Sequence, residues 1–204
     1  MSLVLASRSP RRAELLTRAG YEFVVIPADV DESTRVGESP TNLVKRLARM
    51  KVAAVAELRP EAVVLGADTV VVDREVVLGK PTDKNAATAM LRRLSGRTHE
   101  VWTGVALAVD GQYWDEVAST RVVFRELDDD DISWYLASGE MFGKAGGYAI
   151  QGLASRFVTR IEGSYTNVVG LPISVVDNLL QVCRRANLTA GWKGLGKKVS
   201  RADG

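Results

Sequence analysis

A valine-rich run at residues 62–78 limits the fold of this chain more than any other segment. It reads AVVLGADTVVVDREVVL, and a polar turn near residues 73–75 divides it into two strands. Continuous β-branched runs bounded by turn residues are typical of buried strands. The run also contains Asp68, a carboxylate at a position where the pattern predicts burial.

Strands and helices alternate along the rest of the chain. Further strands are predicted at residues 3–6, 22–26, 99–109, 112–125 and 156–162, and the third and fourth form a hairpin about Asp110-Gly111. Helices are predicted at residues 10–19, 40–58, 83–94, 128–138 and 172–186, and Ser-Pro pairs open the first two, with serine as the N-cap. This order predicts an α/β fold with a mixed β-sheet.

The charge distribution argues against a general nucleic-acid surface. The 204 residues contain 27 lysines and arginines and 25 aspartates and glutamates, for a net charge of +2. Residues 189–204 hold four of those cations and one anion, which leaves 23 cations and 24 anions in residues 1–188. Broad binding of nucleic acid needs a basic body rather than a nearly neutral one. We expect residues 189–204 to form a basic flexible tail.

Few side chains are available for covalent or zinc chemistry. Because Cys183 and His99 are single, the sequence excludes an intramolecular disulfide and a zinc site built from cysteine and histidine. A G-x-S-x-G motif is also missing, so hydrolysis would have to use carboxylates and a hard metal ion. The apolar runs are too short for a membrane helix. We therefore expect a cytoplasmic protein that binds neither membrane nor nucleic acid.

Cations collect at the start of the first predicted helix, in the run SRSPRR at residues 7–12. Each cation at a helix N-terminus is unfavourable by about 0.3–1 kcal/mol, because the free N–H groups there already carry partial positive charge. Arg12 shares a face with Leu15 and Leu16 and should point inward. The run indicates either a bound anion such as phosphate or a solvated basic turn.

Two further charged residues are predicted inside the protein. Lys51 falls at the centre of the apolar stripe of helix 40–58, where a lysine without a partner is costly. It either extends to solvent or reaches a cleft and meets an anion. Asp68 must be paired or bound to a metal ion. The acidic stretch 29–33 could complete a Mg²⁺ site with it, because Mg²⁺ is usually held by one or two carboxylates and substrate phosphates.

Three loops complete the candidates. Lys80 lies on a rigid loop, where an exposed lysine is the alternative interpretation. The glycine-framed segments 146–152 and 163–167 suit loops that close on a ligand.

With these motifs, the chain resembles the Maf family of nucleoside triphosphate pyrophosphatases from Leu5 to about Leu180. The matching motifs are LASRSPRR at 5–12, DES at 31–33, LA at 47–48 with Lys51, GADTVV at 66–71, GKP at 79–81 with Asp83, LSG at 94–96 with His99, TGV at 103–105, GY at 147–148 with IQG at 150–152, and GSY at 163–165 with NVVGLP at 167–172.

The resemblance implies one catalytic domain, residues 1–188, whose two-lobed mixed β-sheet and flanking helices surround a central cleft as in inosine-triphosphate pyrophosphatases. It implies hydrolysis to a nucleoside monophosphate and pyrophosphate, with Mg²⁺ or Mn²⁺ as the divalent metal cation, in a homodimer. By motif, phosphates would be held by Ser7, Arg11, Arg12, Lys51 and Lys80. Metal, water and substrate would be positioned by Glu32, Asp68 and Gln151.

The motifs GADT and GYAIQG are similar to those of the family branch that acts on dTTP and UTP, a housecleaning role in the nucleotide pool. Thr69 is a candidate contact to the base. In the mechanism we expect, Asp68 and Glu32 bind the metal, and one of them takes the proton of the attacking water. The alternatives are a nucleotide-binding regulator of cell division or septum formation without significant turnover, and a nucleic-acid binder that uses the tail.

Overall fold

A mixed sheet organises the chain, and a computed structural model describes residues 2–186. Within those residues the sheet has seven strands. They are β1 (Leu3–Leu5), β2 (Phe23–Val25), β3 (Val63–Asp73), β4 (Val76–Leu78), β5 (Thr98–Val109), β6 (Gln112–Phe124) and β7 (Val158–Glu162). Their order is β2-β1-β3-β5-β6-β7, with β4 paired to the end of β3. Strand β1 is parallel to β2 and β3, and the other pairs are antiparallel.

Helices lie on both faces of this sheet. They are α1 (Pro10–Arg18), α2 (Pro40–Ala56), α3 (Lys84–Leu94), α4 (Asp129–Ala137), α5 (Tyr165–Val169) and α6 (Ile173–Ala186). Helix α2 covers one face, where it packs on β3 and β5. The other helices lie on the opposite face. The predicted α/β class is confirmed, and the bounds of the predicted strands and helices differ from the observed ones by two residues or fewer.

Two lobes share the face opposite α2, each with its own apolar core. The first lobe is built on Leu16 of α1 and Leu180 of α6, which pack with residues of β1, β3 and β5. The second lobe is built on Leu91 of α3 and Tyr135 of α4, together with the turns after α4. The two-lobed arrangement that the family resemblance implied is therefore present.

The edge of β3 is split between these lobes. Strand β1 pairs with Val63–Leu65, and β4 pairs with Val71–Asp73. Among the described residues, the intervening stretch 66–70 has no strand partner on that edge. Backbone and side-chain groups of this stretch are therefore open to side chains from other elements, and a cleft forms there.

Two glycines let α2 approach the opposite face closely. A Cβ atom built on Gly66 would lie 2.7 Å from a methyl group of Val52, and one on Gly104 would collide with the backbone carbonyl of Val44. Gly104 is the register partner of Asp68 on β5. Because no side chain separates helix from sheet at these positions, α2 residues reach the floor of the cleft.

One local prediction was wrong. Residues 163–167 were expected to form a loop, but they contain the start of α5, and Ser164 caps this helix by accepting a hydrogen bond from the Asn167 backbone N–H. The Asn167 side chain is fully buried and donates to the Val101 carbonyl and the Thr120 hydroxyl. Ser9 is the N-cap residue of α1, as predicted, but its side chain makes no capping hydrogen bond, whereas the Ser39 side chain caps α2 as expected.

Candidate active site

A cleft of about 560 Å³ opens at the split edge of β3. Its charged and hydroxyl-bearing lining, here called the polar end, includes Ser7, Arg8, Arg11, Arg12, Asp29, Glu32, Lys51, Asp68, Thr69, Lys80 and Lys144. Its apolar lining, here called the apolar end, includes Val71, Val101, Tyr148, Ile150, Val168 and Val169, which pack in the core of the second lobe. The sequence-predicted site residues therefore share one cavity, and Gln151 lines it as well.

Arg12 is the structural centre of the polar end. Four of its five N–H groups donate to protein oxygens, which belong to Gly170 (2.8 Å), Ala67 (2.8 Å), Ser7 (3.2 Å) and Thr69 (3.0 Å). Its predicted inward orientation is confirmed, since the residue is only 9% exposed. Burial lowers the pKa of Arg12, and the attraction of Asp68 opposes that shift. Arg12 thus ties α1 to β3 and to the turn before α6, and it keeps one N–H group for a ligand.

The start of α1 faces the cleft with several donors. The first N–H groups of a helix have no partner within the helix, and the Ser9 side chain does not cap them. Instead, the Ser7 hydroxyl accepts hydrogen bonds from the Ser9 backbone N–H and from Arg12, each at 3.2 Å. Arg11 and Arg8 flank the same turn. This arrangement can hold an anion such as phosphate.

Lys51 is buried and reaches the cleft rather than solvent. It is 6% exposed, and its Nζ lies 2.6 Å from Asp68 Oδ1 and 2.7 Å from Glu32 Oε1. The side chain of Lys80 reaches the second oxygen of Glu32 at 3.0 Å and is 60% exposed. Burial alone would raise the pKa of Glu32, but the hydrogen bonds and charges of the two lysines lower it to about 2. Glu32 is therefore ionised at neutral pH.

The pair Glu32 and Asp68 fits a divalent cation that arrives with further ligands. Both carboxylates converge on one ammonium group, so the position between them already accommodates a cation. Within residues 2–186 no group of three or more histidine, cysteine, aspartate and glutamate residues could hold a metal ion. Two carboxylates supplemented by substrate phosphates and water are a ligand set that suits Mg²⁺.

Thr69 lies beside Arg12 rather than deep in the apolar end. Its hydroxyl accepts from Arg12, lies 3.0 Å from the Thr103 hydroxyl and 3.3 Å from the Gly170 carbonyl. A contact from Thr69 to a nucleotide base stays a prediction. The side chain of Gln151 is exposed in the cleft, and its amide lies 3.5 Å from Glu14.

Behind the apolar end, Tyr148 contacts His99. The Tyr148 hydroxyl lies 2.7 Å from His99 Nε2, and the two rings meet edge to face with centroids 5.4 Å apart. Burial lowers the pKa of His99 to about 4, so the imidazole is neutral at pH 7. The only histidine is thus part of the wall that supports Tyr148 and not a base in the cleft. The sequence singled out both residues only through the motifs that contain them.

Glu140 was missed by the sequence analysis. Its Oε2 accepts the Leu153 backbone N–H at 2.9 Å, and a Cβ atom on Gly152 would collide with its carboxylate. It therefore anchors the segment that carries Ile150 and Gln151 into the cleft. Its position in a turn after α4 offered no periodicity or motif signal.

Arg8 and Asp29 form an exposed ion pair of 2.8 Å at the same cleft. Cys183 is a buried core residue. In residues 2–186 no helix is long and apolar enough to cross a membrane. The predicted basic tail, residues 189–204, lies outside the described residues.

Comparisons with known proteins identify relatives of this chain. The sequence model of one family, Maf-like protein, matches residues 2–183. A relative from Syntrophus aciditrophicus, named dTTP/UTP pyrophosphatase, is 50% identical over 181 residues and 88% of each chain. Relatives of the same name come from Myxococcus xanthus (50% identity, 94% of this chain and 95% of the relative) and Vibrio cholerae (51% identity, 87% and 96%).

Among solved structures, the Ham1 protein of Staphylococcus aureus shares the fold. It aligns with a TM-score of 0.53 over 91% of this chain and 99% of its own, at 13% sequence identity. At that identity the likeness concerns the architecture alone.

Proposed function

Because the chain belongs to the Maf-like protein family, we propose that it hydrolyses dTTP and UTP to the nucleoside monophosphate and pyrophosphate. The observation that carries this proposal is the cleft itself, in which a cationic polar end adjoins an apolar end. The names of relatives at about 50% identity support the pyrimidine triphosphates as substrates. They favour an enzyme over a regulator without turnover.

The polar end is suited to the triphosphate. It contains six cations and three anions, for a net charge of +3 before any ligand binds. Arg11, Lys80 and the remaining N–H of Arg12 are placed to contact phosphate oxygens, together with Ser7 and the free N–H groups of α1. Such fixed donors stabilise negative charge that develops on the departing pyrophosphate. The apolar end offers the ring of Tyr148 and aliphatic side chains to the base.

We assign the metal ligands to Glu32 and Asp68. When bound there, Mg²⁺ or Mn²⁺ would polarise a phosphoryl oxygen and lower the pKa of water. Both carboxylates are held by Lys51 in orientations that converge on one point, and Lys80 further fixes Glu32. These two residues therefore supply the protein's share of the ligand set.

We assign the general base to Asp68. In the reaction, water attacks the α-phosphorus, the bond between that atom and the bridging oxygen breaks, and pyrophosphate leaves. The proton of the water passes to a carboxylate. Glu32, whose two lysine partners lower its pKa to about 2, is a weak base. Both oxygens of Glu32 contact lysines, whereas Asp68 contacts Lys51 through Oδ1 alone, so we place its Oδ2 next to the attacking water.

The test is product identification with single nucleotides. The protein is incubated with dTTP, UTP, CTP, ATP or GTP and Mg²⁺ or Mn²⁺, and the products are separated. Monophosphate and pyrophosphate from dTTP and UTP are expected. Diphosphate and phosphate would show cleavage of another bond, and intact nucleotides in all reactions would favour a regulator.

A matched pair of variants tests the site. Asp68→Asn should lower kcat by about a hundredfold or more, because it removes the base and a metal ligand. Asp130→Asn, in the first turn of α4 and outside the cleft, should retain wild-type turnover. Equal turnover in all three proteins would disprove the role of Asp68.

Two further properties belong to the proposal. The family resemblance supports a homodimer, which light scattering coupled to gel filtration would test. A nucleotide substrate and a chain with a single cysteine, which cannot form an intramolecular disulfide, support a cytoplasmic location, which fractionation of the cells would test.

A further inference from the structure

We propose that Lys51 is a resident counter-ion for Glu32 and Asp68, so that the divalent cation enters the site only together with the nucleotide. This inference rests on the proposed function and concerns the order in which its ligands bind. Lys51 would leave the carboxylates and contact a phosphate when the complex of metal and nucleotide arrives.

The position of the ammonium group carries the proposal. Lys51 Nζ lies within hydrogen-bond distance of one oxygen of Glu32 and one of Asp68, at 2.7 Å and 2.6 Å. A metal ion bound by both carboxylates would need the space between those two oxygens. The ammonium group therefore competes directly with the ion.

The charge of the group also disfavours a metal ion alone. Lys51 and Lys80 balance Glu32 and Asp68, so these four residues carry no net charge. A hydrated divalent cation would have to exchange its water ligands for carboxylates whose charges are already balanced by lysines, so its binding alone is disfavoured. A triphosphate makes binding of the divalent cation favourable, because it brings about four negative charges and further oxygen ligands to the same place.

The two lysines differ in a way that permits a controlled test. Lys51 is buried and contacts both carboxylates, whereas the side chain of Lys80 is 60% exposed and contacts Glu32 alone. Removing either one changes the net charge by the same amount. Removing Lys51 also vacates the position between the carboxylates.

The side chain of Lys51 can move without a change of fold. Helix α2 is fixed on the sheet where Gly66 and Gly104 leave no room for a Cβ atom. The backbone of Lys51 therefore stays in place, and its flexible side chain lines the cleft where phosphates bind. Only rotamer changes are required.

The experiment measures Mn²⁺ binding by electron paramagnetic resonance. The full-length wild-type protein is titrated with Mn²⁺, first alone and then with a UTP analogue whose α,β-bridging oxygen is an imido group. We expect no binding of Mn²⁺ alone at micromolar concentrations, and binding once the analogue is present. Tight binding of Mn²⁺ to the free wild-type protein would overturn the proposal.

Variants distinguish the effect of Lys51 filling the position between the carboxylates from the effect of its charge. Lys51→Met should increase the affinity for Mn²⁺ alone by about tenfold or more, and Lys51→Met/Asp68→Asn should lose this gain. Lys80→Met should give a smaller gain, and an equal gain would show that charge alone is responsible. Thermal unfolding checks that each variant folds, and the wild-type titration decides the proposal if Lys51→Met does not.

These readouts are independent of turnover. If the wild-type protein binds no Mn²⁺ alone but hydrolyses no nucleotide, the proposed function fails. If it hydrolyses dTTP or UTP but binds Mn²⁺ tightly without nucleotide, only the order of binding fails.

Discussion

Arg12 joins two parts of the chain that are 158 residues apart, because its Nε donates to the carbonyl oxygen of Gly170 at 2.8 Å. The same guanidinium donates to the open edge of β3 at Ala67. It therefore ties the first turn of α1, the central strand and the turn before α6 together at the cleft.

Arg12→Lys should destabilise the protein by about 2–4 kcal/mol, because one ammonium group cannot replace four hydrogen bonds and buried acceptors lose their donor. Urea denaturation measures this change. Arg18→Lys, which alters an exposed pair with Glu14, is the control and should shift stability by less than about 0.5 kcal/mol. Similar effects of the two substitutions would contradict the central role of Arg12.

Gly104→Ala should cost about 1–3 kcal/mol or prevent folding, because the added methyl group would collide with the backbone of α2 at Val44. Gly79→Ala is a control, since nothing lies within 4 Å of a Cβ atom there. Chemical denaturation compares the two. An unchanged free energy of unfolding for Gly104→Ala would show that α2 can shift away from the sheet.

Stability should fall by about 2 kcal/mol between pH 7 and pH 5 through His99 alone. Burial lowers the pKa of His99 from 6.5 to about 4, so the folded state resists protonation that the unfolded chain accepts. The loss therefore begins as the pH falls through 6.5 and continues to about 4. Unfolding measured from pH 7.5 to 4.5 should show a weaker pH dependence in His99→Gln. Parallel curves would mean that His99 is not buried as a neutral group.

Glu140→Ala should raise KM for UTP by about tenfold, because the segment that carries Ile150 and Gln151 loses its anchor at the Leu153 N–H. Glu140→Gln keeps an acceptor oxygen and should restore most of that loss. Steady-state kinetics with both variants show whether each substitution changes KM, kcat or both. If the two variants behave alike, the charge of Glu140 matters rather than its hydrogen bond.

Local sequence patterns were sufficient to predict most strands and helices of this fold. The valine-rich run became β3 and β4, and the Asp110-Gly111 hairpin and the Ser39 cap lie where expected. These features depend on neighbouring residues, and their physical causes act within a few positions. The short α5 was missed because its stability comes from the buried Asn167, whose partners lie in β5 and β6.

The candidate site was predicted only in part from the sequence. Lys51 and Asp68 could be identified because charge inside an apolar pattern requires a partner. The sequence did not say that each would be the other's partner, because that depends on α2 crossing β3 over glycines.

Sequence patterns were enough to predict the fold class, the family and the charged residues that lie in apolar surroundings. The tertiary structure alone decided that Lys51 lies between Glu32 and Asp68, that Arg12 is mostly engaged with the protein, and that His99 supports Tyr148 outside the cleft. The reason is that local patterns record each residue's own burial, whereas pairing between distant residues depends on how the helices pack on the sheet.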